Sequence, residues 1–225
     1  MKALEAHELY RFYHVEEEEI LALRGVTLEV LSGEIVAVQG PSGSGKSTLL
    51  ACLAGLDEPQ GGYVTILGKR LTRKPEVERS AIRASSIGIM LQSGNLFEHL
   101  SVEDNIRLQL HLAGKKKSNT RVDELLDKID LEHVRQAQPA RISGGEAARA
   151  GLAVALSVQP AVLLADEPTG EVDAETEQRI LDLLDHHREE GGAILIVTHS
   201  KAVASRADRV IHLLDGRIAN HDQHK

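Results

Sequence analysis

The residues from Gly40 to Ser47, Gly-Pro-Ser-Gly-Ser-Gly-Lys-Ser, have the types and the spacing to hold a polyphosphate. They fit the phosphate-loop pattern of a glycine, four residues of any kind, then Gly-Lys-Ser or Gly-Lys-Thr. Glycines let the backbone curl until several N–H groups point at one anion. A helix that starts at the end of the loop adds partial positive charge at the same spot. Lys46 then reaches the outer phosphates, and the Ser47 hydroxyl is a ligand for Mg²⁺. A second pair with chemical use is Asp166-Glu167, which follows the apolar run Ala161–Ala165. With one carboxylate spent on a metal ion, its neighbour is free to orient or deprotonate water.

These residues need a scaffold, and the hydrophobic pattern describes one. Ile35–Val38 reads as a buried strand and Thr48–Ala54 as a helix closed by Gly55, so the glycine loop sits between a strand and a helix. Residues 4–13 and 20–31 read as strands, with Val26, Leu28 and Val30 alternating with polar residues. The run Glu16–Glu19 between them reads as a solvated loop. Gly61-Gly62 opens a strand over Tyr63–Leu67 that stops at Gly68, and residues 69–86 read as loop plus a short helix. Ile87–Leu91 is a buried strand ending at Gln92. From there the character changes. Ser101 to Asp104 has the spacing of a capped helix start, and residues 101–113 and 119–129 have helical apolar spacing, with Lys115-Lys116-Lys117 in a solvated turn between them. Residues 93–157 therefore read as a mainly helical lobe.

Ser143-Gly144-Gly145-Glu146 opens the next helix, which runs to about Val158 and ends before Pro160. Its two glycines leave the first helical N–H groups open to an approaching anion. Asp173 caps a helix over residues 174–190 that Gly191-Gly192 stops. Ala193–Val197 is a buried strand ending at Thr198-His199. After a further helix come a strand over Val210–Leu214, a hairpin turn at Asp215-Gly216 and a polar tail from Asn220 to Lys225. The two histidines of that tail have no metal-site spacing. Strands alternating with helices imply an α/β fold with a mostly parallel sheet and helices on both faces. Ligands of such sheets sit beyond the carboxyl ends of the strands. The glycine loop, Gln92, Asp166-Glu167 and His199 all fall there. Tyr13 stands out in a chain only 2% aromatic. Spacing alone leaves it either a core residue or a ring that stacks on a nucleobase.

Composition narrows the class. The chain has 225 residues, enough for one large α/β domain carrying an inserted lobe. Its formal net charge of −8 argues against a nucleic-acid surface, which would need a basic stripe, but not against a nucleotide held by backbone amides and one lysine. The single cysteine, Cys52, excludes an internal disulfide, fits a reducing compartment and reads as a buried structural thiol. No apolar run approaches the about 18 residues that span a bilayer, and the first residues lack the apolar core of a signal peptide. The expectation is a soluble, cytoplasmic chain whose membrane role, if it has one, comes through a partner.

With Ser143–Glu146 shortly upstream of the run from Leu163 to Gly170, Leu-Leu-Ala-Asp-Glu-Pro-Thr-Gly, and with Gly40–Ser47, the chain resembles the nucleotide-binding subunits of ATP-binding-cassette transporters. The resemblance runs from about Leu4 to Ile218. Gly55-Leu56-Asp57 and the Asp-Glu-Pro-Thr-Gly run make it similar to the lipoprotein-release, macrolide-efflux and cell-division group. It implies a P-loop NTPase fold in a single domain, residues 1–225. Residues 1–92 and 158–225 would form a RecA-like, mostly parallel core with an N-terminal antiparallel β subdomain, and residues 93–157 a helical signature subdomain. It implies ATP and Mg²⁺ as cofactors. Gly40, Ser42, Gly43, Ser44, Gly45, Lys46 and Thr48 would lie on the phosphates, and Ser47, Gln92 and Asp166 would serve Mg²⁺. Glu167 would be the catalytic base, and His199 would hold the γ-phosphate and the attacking water. Tyr13 would stack on adenine, with Tyr10 and Phe12 as alternatives.

The resemblance also implies partners. Ser143, Gly144 and Gly145 would complete the ATP site of a second ATPase subunit, identical or different, and Asp173 would lie in the loop that crosses between the two. The helical lobe and the segment after Gln92 would grip a transmembrane permease, placing the chain on the cytoplasmic face of the cell membrane. No nucleic-acid partner is expected. The alternative, a cassette ATPase acting on nucleic acid or ribosomes, usually brings tandem cassettes, coiled-coil insertions or zinc modules. The chain departs from the family pattern at Ala147, Ala148 and Val154, where polar or basic residues are common. It departs again at Glu171-Val172 before Asp173 and at Ser200, where an acid is common. These changes leave the phosphate, metal and water groups intact and bear on the symmetry of the subunit pair.

Overall fold

The computed structural model describes residues 1–15, 18–115, 119–170 and 172–219. The elements, in chain order, are β1 (Lys2–Val15), β2 (Glu18–Leu31), β3 (Ile35–Gln39), α1 (Lys46–Leu53), β4 (Gly61–Ile66), β5 (Lys69–Arg70), α2 (Glu76–Ser86) and β6 (Ile87–Met90). They continue with α3 (Val102–Leu112), α4 (Asn119–Lys128), α5 (Gly144–Leu156), β7 (Val162–Asp166), α6 (Ala174–Glu189), β8 (Ala193–Val197), α7 (Lys201–Arg206), β9 (Arg209–Leu214) and β10 (Arg217–Ala219). Two short 3-10 turns, Glu132–Val134 and Pro139–Arg141, lead into α5.

Six strands form the central sheet in the order β10-β9-β3-β8-β7-β6. All neighbours pair in parallel except β10, an antiparallel edge. Parallel neighbours need crossover connections, and helices supply them. Strands covered on both faces read as unbroken apolar runs, and every residue of β8 is buried. On one face Val36, Val38, Leu164 and Leu195 pack against α1 and a second, antiparallel sheet of order β2-β1-β4-β5. On the other face Ile35, Leu163, Ile194 and Ile196 pack with α3, α4, α5 and α6. The layers are those of a P-loop NTPase with an N-terminal antiparallel sheet, as expected.

Local differences from the sequence expectation have physical causes. The β1–β2 ribbon is longer than its apolar alternation, because strand pairing is a backbone property. Glu18 and Glu19 pair with Val15 and His14 rather than lying in a loop, while Glu16 and Glu17 fall outside the described residues. Helix α1 starts at Lys46, because Gly45 is its left-handed N-cap. β4 ends at Ile66, where Leu67 and Gly68 turn the chain with positive φ. β6 ends at Met90, because the side chain of Asn95 takes over the hydrogen bonds of the Leu91 backbone, both N–H and carbonyl. Residues 93–101 are not helical. Ser101 caps α3 by accepting from the Asp104 N–H, without the reciprocal half of a capping box. Lys115 donates to the Val158 carbonyl at 2.7 Å instead of standing free, and Lys116 and Lys117 lie outside the described residues. So do Glu171 and the tail from Asn220. Cys52 is buried, and burial pushes its thiol up to about 12. Among the described residues no helix is long and apolar enough to cross a membrane.

His187 of α6 is a buried ionisable group in this core. Its ring fills the space where a Cβ on Gly192 would lie, and its Nε2 has no hydrogen-bond partner. Burial, joined by Arg121 and His186 and opposed by Glu190, lowers its pKa from 6.5 to about 4. As pH falls the unfolded chain takes up this proton first, so stability is lost between the two values. The separation corresponds to about 3 kcal/mol. His187→Leu is expected to flatten this acid limb. Urea unfolding at about pH 7 and about pH 4.5 measures it, and an unchanged difference between the two conditions would refute the assignment.

Candidate active site

β3 delivers the chain into the glycine loop, and the loop is clamped by strands on either side. Gly43 and Gly45 take φ values of 78° and 100°, which only glycine adopts at little cost. A Cβ on Gly45 would stand 2.5 Å from the Ala22 carbonyl oxygen of β2, and one on Gly40 would stand 2.1 Å from that of Leu213 on β9. The loop opens onto the N-terminus of α1, whose first turn carries no acidic residue to compete with an incoming anion. Lys46 Nζ lies across the loop, donating to the carbonyls of Gly40 at 2.8 Å and Pro41 at 2.9 Å. Phosphate oxygens are stronger acceptors for such an ammonium than neutral carbonyls. The Ser44 side chain is buried, with its hydroxyl unpartnered.

Opposite the loop, β7 ends in Asp166. The Ser47 hydroxyl donates to Asp166 Oδ2 at 3.1 Å. Burial and the charge of Glu167 push the Asp166 carboxyl above its usual range, while Ser47 and Lys46 work the other way. A cation would relieve that pressure. A hydroxyl and a carboxylate side by side are hard oxygen donors, suited to a small divalent ion that takes its remaining ligands from water and phosphate. Among the described residues no three His, Cys, Asp or Glu side chains gather as a metal cage, so an ion here depends on oxygens the ligand brings. The donor set fits Mg²⁺ on a polyphosphate.

Glu167 turns out of the strand with φ 48° while its N–H still donates to the Val197 carbonyl of β8. This left-handed residue redirects the side chain at a local cost of order 1–3 kcal/mol. Its Oε2 accepts from the Thr198 hydroxyl and the His199 N–H, each at 3.2 Å. Its Oε1 is buried without a hydrogen-bond partner, 3.7 Å from His199 Nε2. One oxygen is thus held in place, and the other carries no hydrogen bond.

A cleft of about 640 Å³ joins these groups. Tyr13, Ser42, Gly43, Gly45, Lys46, Ser47 and Thr48 line it from one side, and Gln92, Asp166, Glu167 and His199 from the other. Tyr13 pairs across the ribbon with Ile20, so an aromatic and an aliphatic side chain stand together at its edge. Tyr10 and Phe12 do not line it; Tyr10 packs against Gly25 and Gly61. Gly40 and Ser44, expected on the phosphates, do not line it; a Cβ on Gly40 would stand 2.7 Å from the Ser44 hydroxyl. Ser143, Gly144, Gly145 and Asp173 do not line the cleft. Ser143 completes a capping box with Glu146, and Gly144 borders a second groove of about 650 Å³ that shares Gln92, Glu167 and His199 with the cleft. Asp173 caps α6 through the Thr176 N–H.

Sequence reading missed several residues of the cleft. Ala22, Arg24, Asp215 and Gly216 line it because the β9–β10 turn folds over the phosphate loop, with the Gly216 N–H donating to the Ser44 carbonyl and the Arg24 N–H to the Gly216 carbonyl. No local signal in the chain announces that approach. Thr198, which holds Glu167, stands next to a residue already singled out.

The model of the family described as "ABC transporter" matches residues 23–170. The macrolide export ATP-binding/permease protein MacB of Chlorobium luteolum is 40% identical over 219 residues, 96% of this chain but 33% of that protein, so this chain spans about a third of its length. The lipoprotein-releasing system ATP-binding protein LolD of Acinetobacter baylyi is 37% identical over 222 residues, 97% of each. Among solved structures, the ATP-binding cassette MJ0796, a dimer in a post-hydrolysis state bound to ADP and Pi, aligns with a TM-score of 0.90 and 34% identity, covering 96% of this chain and 97% of that one.

Lys46→Ala is expected to leave the fold intact, because Lys46 sits at a loop–helix junction outside the core, and to weaken ATP binding by at least about tenfold, the scale of a lost charge-assisted contact. Titration with ATP beside a thermal melt measures both, and wild-type affinity in a folded variant would remove the loop from the phosphate site.

Proposed function

This chain belongs to the ABC transporter family, as its ATP-binding and ATP-hydrolysing subunit, and we propose that it is one half of a paired motor that drives a separate membrane subunit. The observation that carries the reading is the convergence of Lys46, Ser47, Asp166 and Glu167 in one cleft beyond the ends of β3 and β7. In this reading the backbone of Gly43–Thr48 and Lys46 hold the phosphates. Ser47, Asp166 and Gln92 hold Mg²⁺, directly or through water. The ion they would hold would offset the negative charge of the phosphates. Tyr13 stacks on adenine. Glu167 takes the proton of the attacking water on the oxygen that no protein donor occupies, and His199 holds the γ-phosphate side of the same water.

Ser143–Gly145 have no role in their own chain's cleft. Their N-terminal amides and small side chains suit the γ-phosphate of a nucleotide held by a second subunit, and the Asp173 loop suits the contact between the two. The dimeric state of the similar cassette supports such pairing. Closure would exclude water and complete the site. Permease attachment is supported by the name of the similar macrolide-export protein, which joins an ATP-binding part to a permease. The groove bordered by Gln92, Leu96, Pro139 and Ala148 is the surface we assign to the membrane subunit, since it shares its inner residues with the cleft. In this reading the chain works at the cytoplasmic face of the membrane. The net charge of −8 weighs against the nucleic-acid alternative.

Glu167→Gln tests the chemistry. Asp166 is untouched and Gln is nearly isosteric, so ATP binding and closure should persist. The base is lost, and hydrolysis should fall by about 10²–10⁴, or roughly 3–5 kcal/mol of barrier, while an ATP-loaded dimer accumulates. Single-turnover hydrolysis and size-exclusion chromatography in ATP measure this with the paired subunit present. Near-normal hydrolysis at the site built on this chain's loop would move the base elsewhere.

A further inference from the structure

Tyr13 is held by more than its strand. Its hydroxyl donates to Asp57 Oδ2 at 2.6 Å, and Arg11 Nε donates to the same oxygen at 2.7 Å. The Arg11 guanidinium carbon lies 4.4 Å from the centre of the Tyr13 ring, covering one face in a cation–π contact. Arg11 does not line the nucleotide cleft and Tyr13 does, so the cation–π partner packs on the ring from outside the cleft lining. Arg11 and Asp57 are both half-buried, where such contacts are screened less than at the surface.

Asp57 in turn belongs to the phosphate-binding helix. The loop that follows α1 is bonded back to it, with the N–H groups of Leu56 and Asp57 both donating to the Ala51 carbonyl, at 2.9 Å and 3.2 Å. From the same loop, Gln60 exchanges two hydrogen bonds with the backbone of Phe12, each at 3.2 Å, and its N–H donates to the Tyr10 carbonyl. The strand that carries Tyr13 and the helix that opens the phosphate site are therefore one mechanical unit. Burial works against the Asp57 charge, yet the Tyr13 hydroxyl and Arg11 hold its carboxyl below the usual range, so it stays an anion and an acceptor at neutral pH.

We propose that Asp57, together with Arg11, is a positioning residue for the nucleobase: it ties the Tyr13 ring to α1 and sets one spacing between base platform and phosphate loop. The proposal rests on the reading of Tyr13 as the base-stacking residue. A ligand with a purine at the nucleotide distance benefits from that spacing. A bare triphosphate does not, because it touches only the loop.

The test compares Mg-ATP with Mg-tripolyphosphate by titration calorimetry on the full chain, with thermal melts to confirm folding. Tyr13→Phe keeps the ring and removes only the anchored hydroxyl. Asp57→Ala removes the anchor, and Asp57→Asn keeps an acceptor for the hydroxyl. Tyr13→Phe and Asp57→Ala should each weaken ATP by about three- to tenfold, the scale of one ring stack, and leave tripolyphosphate within about twofold. Asp57→Asn should recover most of the ATP affinity lost in Asp57→Ala. Wild-type ATP affinity in Tyr13→Phe, or equal weakening of both ligands in Asp57→Ala, would overturn the positioning role. Failure of the stacking reading itself is separable, because wild-type protein would then bind ATP no more tightly than tripolyphosphate.

Discussion

Parallel pairing of β3, β8 and β7 places three strand ends side by side, and the chemistry of this protein hangs on that constraint. Each strand is buried on both faces and so consists of apolar residues. The first polar residue past each end then emerges at a fixed place beside its neighbours. β3 contributes the phosphate loop, β7 Asp166 and Glu167, and β8 Thr198 and His199. The distances of 3.1 Å between Ser47 and Asp166 and 3.2 Å between Thr198 and Glu167 are consequences of sheet order rather than of local sequence.

Two adjacent carboxylates are given different environments by this arrangement. Asp166 faces the Ser47 hydroxyl and the Lys46 side of the cleft, and burial raises its proton affinity. Glu167 is turned by its left-handed backbone toward β8, where two donors hold one oxygen and leave the other without a partner. A cation beside Asp166 would stabilise the charge that burial disfavours, and a water beside Glu167 would meet an acceptor already oriented.

The departures from the family pattern have local structural answers. Ser200, standing where an acid is common, caps α7 by accepting from the Val203 N–H, a task an Asp also performs. Ala147 and Ala148 border the groove beside the helical layer, where small side chains leave it open. Arg149 is buried, bonding the Ile129 carbonyl and the Thr176 hydroxyl, and Thr176 in turn bonds Asp173. Gly145 packs against Thr176 so closely that a Cβ there would lie 2.9 Å from its hydroxyl. The N-terminus of α5 and the cap of α6 are therefore packed and hydrogen-bonded to one another.

The α/β class, the strand-loop-helix around Lys46, the apolar strands leading toward Gln92, Asp166 and His199, and the capped starts of α3, α5 and α6 were legible in the chain by itself. Each depends on local periodicity, a glycine, or a side chain that satisfies the N–H groups of the next turn. What only tertiary structure decided are relations between segments far apart in sequence. Spacing could not tell whether Tyr13 lies in the core or at the cleft, because its hydroxyl partner Asp57 and its cleft neighbours Ala22 and Gly216 are brought to it by the ribbon and the β9–β10 turn. Nor could the extension of β1 to Val15 and of β2 back to Glu18 be read, since cross-strand backbone pairing leaves no mark in side-chain hydrophobicity. The separation of Ser143–Gly145 from their own phosphate loop is likewise a matter of how the helical layer sits on the sheet. Local physics writes elements into a sequence, and long-range packing decides which of their ends meet.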